Sequence, residues 1–278
     1  MKTKRVIFTL VAVAAILSSC NKTDNILPVG EPPFKGVYNP AVQVQQMNLT
    51  TQRVNFAGDT VTTSNALVMR WYWNVNRLLG INCSQIIGDT LYRYGRSFDY
   101  SKDNRLVRVG TDFHVGYNNN GLISVMYTEA GGLNYVCSTR YNGGSYPDFL
   151  SFFVTSKSAQ DKEYCLRWKD GNLVAVIPDN HDIDSATYTY DRMSNPFNGV
   201  FWPDQWKEDN FLMQAPFISR NNPETITLYK DGQVVARHVI RYEYIDTKPF
   251  RINFSLPSTD EDGNPVTTTY AYTLHYIE

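Results

Sequence analysis

The side chains best suited to chemistry stand apart in this sequence. The four histidines are His114, His181, His238 and His275, and none lies two or four residues from another. That spacing puts no pair of imidazoles on one strand face or one helix turn, as a metal site would need. No Gly-x-Ser-x-Gly nucleophile elbow is present, and a triad could form only across strands. Two acidic clusters, Asp179-Asn180-His181-Asp182-Ile183-Asp184 and Asp260-Glu261-Asp262-Gly263-Asn264, offer the hard oxygens that Ca²⁺ prefers. Neither has the spacing of an EF-hand loop, and a solvated turn between strands is the simpler reading. Cys83, Cys137 and Cys165 have no Cys-x-x-Cys spacing. As an odd set they form at most one disulfide and leave a thiol, so buried thiols acting as small apolar residues are expected. The residues therefore point to no catalytic set, no metal and no cofactor.

One cysteine does carry a chemical expectation. Lys2, Lys4 and Arg5 precede an apolar run from Val6 to Leu17, broken only by Thr9. The run is too short to cross a hydrocarbon core, which takes about 20 helical residues. It fits the apolar region of a signal peptide. Leu17-Ser18-Ser19-Cys20 then resembles the lipobox of bacterial lipoproteins. That resemblance implies cleavage before Cys20 and acylation of its thiol, with several chains giving a stable anchor. Residues 1–19 thus read as signal peptide. Residues 20–37, with Pro28, Gly30, Pro32 and Pro33, read as lipidated cysteine and flexible tether.

Aromatic side chains are the densest remaining signal, at 14% of the chain with 19 tyrosines. Their plain role is cross-strand packing, each pair contributing about 0.2–1 kcal/mol. The exception is Phe201-Trp202-Pro203-Asp204-Gln205-Trp206, where Trp202 and Trp206 would share one side of a short turn. They are expected either to seal the end of a sheet or to bind a glycan or cell-wall ligand. Charge is balanced, at 19% charged residues and a net −1, with no Lys/Arg run beyond the first residues. A nucleic-acid partner is not expected.

The elements that must position these residues are hairpins. Tyr188-Thr189-Tyr190-Asp191-Arg192-Met193-Ser194-Asn195-Pro196-Phe197 is the clearest copy of a drifting unit: two aromatics on one strand face, an Asp or Asn, a polar turn, an apolar return. Further copies start at Trp71, Phe98, Tyr117, Trp168, Tyr229 and Tyr242. Asn120-Gly121, Asp170-Gly171 and Asp231-Gly232 predict type I′ turns with positive φ at glycine. Asn142-Gly143-Gly144 predicts a turn between strands near 135–141 and 149–154. Asn65 to Leu79 is scored as strand rather than helix, because Trp, Tyr, Val and Asn dominate it. Tyr270 to Tyr276 alternates strictly. Only Ser156 to Glu163 and Phe201 to Met213 read as helical or irregular. The fold expected is mainly β: one domain over residues 38–278, a curved antiparallel meander of repeated hairpins with few short helices.

These Tyr-x-Tyr-Asp units, with Asn195-Pro196-Phe197 and Asn222-Pro223, resemble a family of Bacteroidetes envelope lipoproteins built from degenerate YD-type hairpin repeats. The resemblance covers about residues 70–254, implies an antiparallel β architecture and an envelope location, and lends no catalytic residues. Its central copies here depart from the pattern, as Trp168-Lys169-Asp170-Gly171 and Tyr229-Lys230-Asp231-Gly232. The leading expectation is an envelope binding or scaffold protein, anchored by lipid in the outer membrane, whose partner is a glycan or envelope protein. The rivals are a glycan hydrolase with a cross-strand site, and a periplasmic carrier of a hydrophobic ligand. Paired carboxylates in a cleft would favour the first rival and a deep apolar pocket the second.

Overall fold

The computed structural model describes residues 33–36, 42–75, 77–87, 90–128, 135–154, 162–179, 181–198, 211–259 and 263–277. Among them sixteen strands follow one another with almost no other element. They are β1 (Val44–Val54), β2 (Thr60–Asn74), β3 (Arg77–Ile87), β4 (Thr90–Tyr100), β5 (Leu106–Val109), β6 (Phe113–Tyr117), β7 (Ile123–Thr128) and β8 (Tyr135–Arg140). The second half has β9 (Phe149–Val154), β10 (Lys162–Lys169), β11 (Asn172–Pro178), β12 (Ser185–Ser194), β13 (Asn221–Lys230), β14 (Gln233–Ile245), β15 (Lys248–Thr259) and β16 (Pro265–Tyr276). Each pairs antiparallel with its sequence neighbours, as hairpin repeats predict, but the copy Tyr188 to Phe197 is no tight hairpin: its Asp191-Arg192-Met193-Ser194 lies within β12, and the return strand β13 begins only at Asn221. The meander closes on itself: β1 pairs with β16, from Val44 opposite Tyr276 to Val54 opposite Thr267. Closure removes both sheet edges.

The alternation along strands decides which face is buried. On β16, Leu274 turns inward, with Tyr270, Tyr272 and Tyr276 on the same face. On β14, Ile240 is buried while Arg237, Arg241 and Glu243 stand outside. An apolar interior with a polar exterior is the reverse of a barrel whose wall faces lipid. No helix among the described residues is long and apolar enough to cross a membrane. A round barrel of about 16 strands would leave an aqueous lumen. Here large side chains fill it, among them Phe152, Tyr164, Phe211, Ile123 and Met126, all nearly inaccessible.

Part of that filling comes from the long β12–β13 connection. It returns as a single turn of helix α1 (Phe211–Gln214), followed by a 3₁₀ turn, Ala215–Ile218. Phe211 packs 5.4 Å from the Phe152 ring and 4.8 Å from the Tyr164 ring, between ring centroids. The stretch Phe201 to Met213, read as helical or irregular, thus ends in a helix, its residues 201–210 lying outside the described ones. The stretch Ser156 to Glu163 ends inside β10, which begins at Lys162. Asn65 to Leu79 is a strand, a tight turn and a second strand. β1 ends at Val54, and Asn55 opens the turn to Asp59.

The turns fall into two classes. Asp170-Gly171 and Asp231-Gly232 are two-residue loops with φ of 52° and 81°, and 51° and 70°, as a type I′ turn requires. Asn120-Gly121 is different. Gly121 N–H donates to the Asn118 carbonyl, Asn118 N–H to the Leu122 carbonyl, and only Gly121 of the pair has positive φ, 71°. This is a three-residue loop with a left-handed last residue, and Asn118 Oδ1 organises it by accepting from Asn120 and Leu122 amides. Asn55–Asp59 and Ser101–Arg105 repeat the same backbone bonds, with Gly58 and Asn104 left-handed.

Candidate functional site

The repeat aromatics occupy one structural position. In six hairpins the pairing register slips at the aromatic just before the turn: Trp73, Tyr100, Tyr117, Trp168, Tyr229 and Tyr244. The extra residue of each bulge lies on the return strand, as Leu79 does opposite Trp73 and Val107 opposite Tyr100, and Trp73 and Tyr244 stay stacked on the aromatics two residues before them. Several of these rings then reach the preceding hairpin. Tyr100 hydroxyl donates to the Leu78 carbonyl at 2.9 Å, and Tyr117 to that of Leu106 at 2.5 Å. Tyr141 donates to Ile123 and Tyr190 to Leu173, each at 2.5 Å. Trp73 Nε1 reaches Val44 at 2.8 Å, and Tyr276 reaches Pro249 at 2.6 Å. The repeat is therefore a stitch between neighbouring hairpins, and its tyrosines are structural. Burial pushes the phenols of Tyr100, Tyr141 and Tyr272 up to about 12, with nearby Arg77 pulling Tyr100 back.

All these stitches lie at the barrel end where β1 starts and β16 finishes. Phe34 closes that end. It is 0% exposed, edge-on to Tyr141, Tyr146 and Trp168 at 5.7–6.4 Å between centroids. The Gly36 carbonyl behind it accepts from Leu106 N–H. Gly36 is obligatory there, since a Cβ would lie 1.9 Å from the Tyr117 hydroxyl oxygen.

The interior on the other side of the inserted α1 segment is not filled. A cavity of about 440 Å³ lies between that segment and the long strands β1, β2 and β13–β16. Met47, Leu67 and Met69 line it from β1 and β2, and Ile240, Ile252, Phe254 and Leu256 from β14 and β15. Trp71, Phe197, Met213 and Phe217 close its inner side, with Trp71 and Phe197 5.8 Å apart between ring centroids. Phe254 lies flat beside Tyr272, 6.0 Å away at 21°. Met47, Leu67, Phe254 and Leu256 are half-exposed, so solvent reaches the cavity. Thioethers from β1, β2 and α1 make the walls deformable. Among the described residues, polar atoms in the lining belong to Gln214, His238, Tyr272 and the Trp71 indole, and no Asp, Glu, Lys or Arg contributes. Trp71 is 6% exposed, and its Nε1–H is buried without an acceptor. Burial lowers the His238 pKa, which favours the neutral ring.

A second concavity lies on the outer face of β2, β3 and β4. Arg70, Tyr72, Asn82, Ser84 and Arg93 border it, and Tyr72 is 48% exposed. Asn82 Nδ2 donates to the Tyr72 hydroxyl at 3.2 Å, and Gly95 leaves room for the Asn82 side chain, whose Oδ1 would lie 2.5 Å from an added Cβ.

The other sequence candidates are dispersed. His114 stacks on Tyr127 at 5.1 Å, His181 Nδ1 accepts from the Ile183 amide, and His275 is exposed on β16. His238 lines the cavity, a placement that sequence spacing does not reveal. Asp184 accepts from the Gly232 amide, as a turn residue does. Among the described residues no three His, Cys, Asp or Glu side chains gather as metal ligands. Cys83 and Cys137 are buried and Cys165 is exposed, all three as free thiols. Cys20, Trp202 and Trp206 lie outside the described residues. A scan against protein-family models matches none, and no curated protein is significantly similar in sequence.

Proposed function

We propose that this protein is a binding protein that holds a small apolar molecule inside its barrel. The cavity beside α1 carries this reading: about 440 Å³ of apolar space, within the range of small-molecule sites and joined to solvent. Beside it Phe152, Tyr164 and Phe211 pack against one another, and an apolar ligand that fills the cavity adds contacts of the same kind. The reading matches the carrier of a hydrophobic ligand among the sequence expectations. Lipidation at Cys20 and the resemblance to envelope lipoproteins add an anchored, outer-membrane setting. Two measurements test it. The purified protein should bind an environment-sensitive apolar dye stoichiometrically, and Met69→Trp, which fills the cavity, should abolish binding while keeping the far-UV circular dichroism. A dye that binds wild type and variant equally sinks the cavity reading. Labelled palmitate should enter the wild type in a bacterial host and not Cys20→Ala.

The outer groove favours a second reading, the glycan partner. An exposed tyrosine ring beside Asn82 and two arginines can stack on a sugar and bond its hydroxyls or carboxylate. Retention on an acidic glycan surface, lost in Tyr72→Ala, would support it. Equal retention of both proteins would remove it.

A further inference from the structure

The geometry points to a ligand with an uncharged polar group: the cavity takes an amphiphile such as a long-chain alcohol, ester or amide, and selects against the matching carboxylate, phosphate or amine. This rests on the cavity being a ligand site and names what that site accepts.

The walls decide the matter through what they contain and what they lack. Among the described residues no ionised side chain contributes to the lining, so a charged head drawn inside would lose its hydration with no counter-ion from these walls. Desolvating an isolated charge costs far more than the apolar contacts of one chain return. A neutral hydroxyl or carbonyl needs only one or two hydrogen bonds, and the lining offers them. His238 projects from β14 between Ile226 and Ile240, and Gln214 from the last position of α1. Among the described residues neither side chain has a hydrogen-bonding partner, so both keep their capacity free. A neutral imidazole presents one donor and one acceptor, and a carboxamide presents both kinds as well. The pair can therefore serve an alcohol, which gives and receives, or an ester, which only receives. The unpartnered Trp71 Nε1–H in the same lining is a further donor that a ligand oxygen would satisfy. Such sites reject the wrong head group strongly, because their own polar groups are left unpaired by it.

The test is displacement of the apolar dye from the full-length protein by four ligands of one chain length: dodecanol, dodecanamide, dodecanoate and dodecylamine. It is run at pH 8, where the acid and amine are ionised. Half-displacement by the alcohol and amide is expected at concentrations at least tenfold below those of both ions. In His238→Leu and in Gln214→Leu, the affinity for dodecanol relative to that for the dye should fall several-fold. Dodecanoate or dodecylamine matching dodecanol overturns the head-group assignment while leaving the cavity in place. Unchanged relative affinity in both variants overturns it too. No dye binding to the wild type overturns the cavity reading itself, and this inference with it.

Discussion

The Tyr190 hydroxyl donates to the Leu173 carbonyl at 2.5 Å and accepts from Ser219 Oγ at 2.9 Å. Ser219 Oγ also accepts from the Leu173 amide at 3.0 Å, which closes a small ring of bonds between β11, β12 and the end of the inserted segment. Asn195 Nδ2 adds bonds to the Phe217 and Ser219 carbonyls at 2.6 and 2.9 Å. The insertion that shapes the cavity is therefore held by the same tyrosine that stitches the hairpins.

Removing that hydroxyl should cost stability. Tyr190→Phe leaves the Leu173 carbonyl and Ser219 short of partners in a buried place, at roughly 1–3 kcal/mol. Tyr92→Phe, at an exposed ring, should stay within about 0.5 kcal/mol of wild type. Urea unfolding of both variants decides it, and equal midpoints would mean that the stitches add nothing.

Val75 is a β-branched residue held at φ 53°, in the two-residue loop between Asn74 and Arg77. Backbone there suits Asn or Gly and strains Val. Val75→Asn should raise the unfolding free energy by about 0.5–1.5 kcal/mol. Gly171→Val, at φ 81°, should lower it by about 1 kcal/mol or more. A thermal melt in which Val75→Asn is the less stable protein contradicts this account of the turn.

The buried phenols give the barrel an alkaline limit. Tyr100, Tyr141 and Tyr272 ionise near 12 when folded against an ordinary value of 10.0. A raised folded pKa means that their contribution is complete below pH 10 and is lost as pH climbs toward 12. The part of the tyrosinate absorbance that is missing in Tyr100→Phe, Tyr141→Phe and Tyr272→Phe should therefore change together with circular dichroism over that window. That part appearing well before the fold is lost would argue against buried hydroxyls.

Thiol reactivity should separate the cysteines. Cys165 should be alkylated quickly in the native protein. Cys83 and Cys137 should react only on unfolding, since both are buried and burial pushes the Cys137 thiol up. Peptide mapping after a short pulse of iodoacetamide checks this, and early modification of Cys137 would contradict the packed core.

Local grammar was legible because it is written locally. Asp170-Gly171 and Asp231-Gly232 carry their turn type in two residues, and Tyr270 to Tyr276 carries its buried face in its alternation. Asn120-Gly121 shows the limit: the dipeptide suits a type I′ loop, yet Asn118 two residues earlier captures the amides and sets a longer one. The cavity was not legible. Its walls come from Met47, Phe197, Met213 and Phe254, residues that any apolar core would use. Nothing in the spacing of His238 among strand residues marks it as facing empty space and not a neighbour. That fact depends on where the β12–β13 insertion lies, which is a property of the closed barrel as a whole.

The pairing of β1 with β16 also sets an order in time. Val44 finds its partner in Tyr276, and Trp73 donates back to the Val44 carbonyl, so the first strand made is completed by the last. Until the final dozen residues are available, β1 has a free edge and the interior is open along its length. Contacts so distant in sequence form slowly, because the whole chain between them must first be ordered. A growing chain can zip its hairpins one by one, but the compartment at its centre comes into being only at the last step.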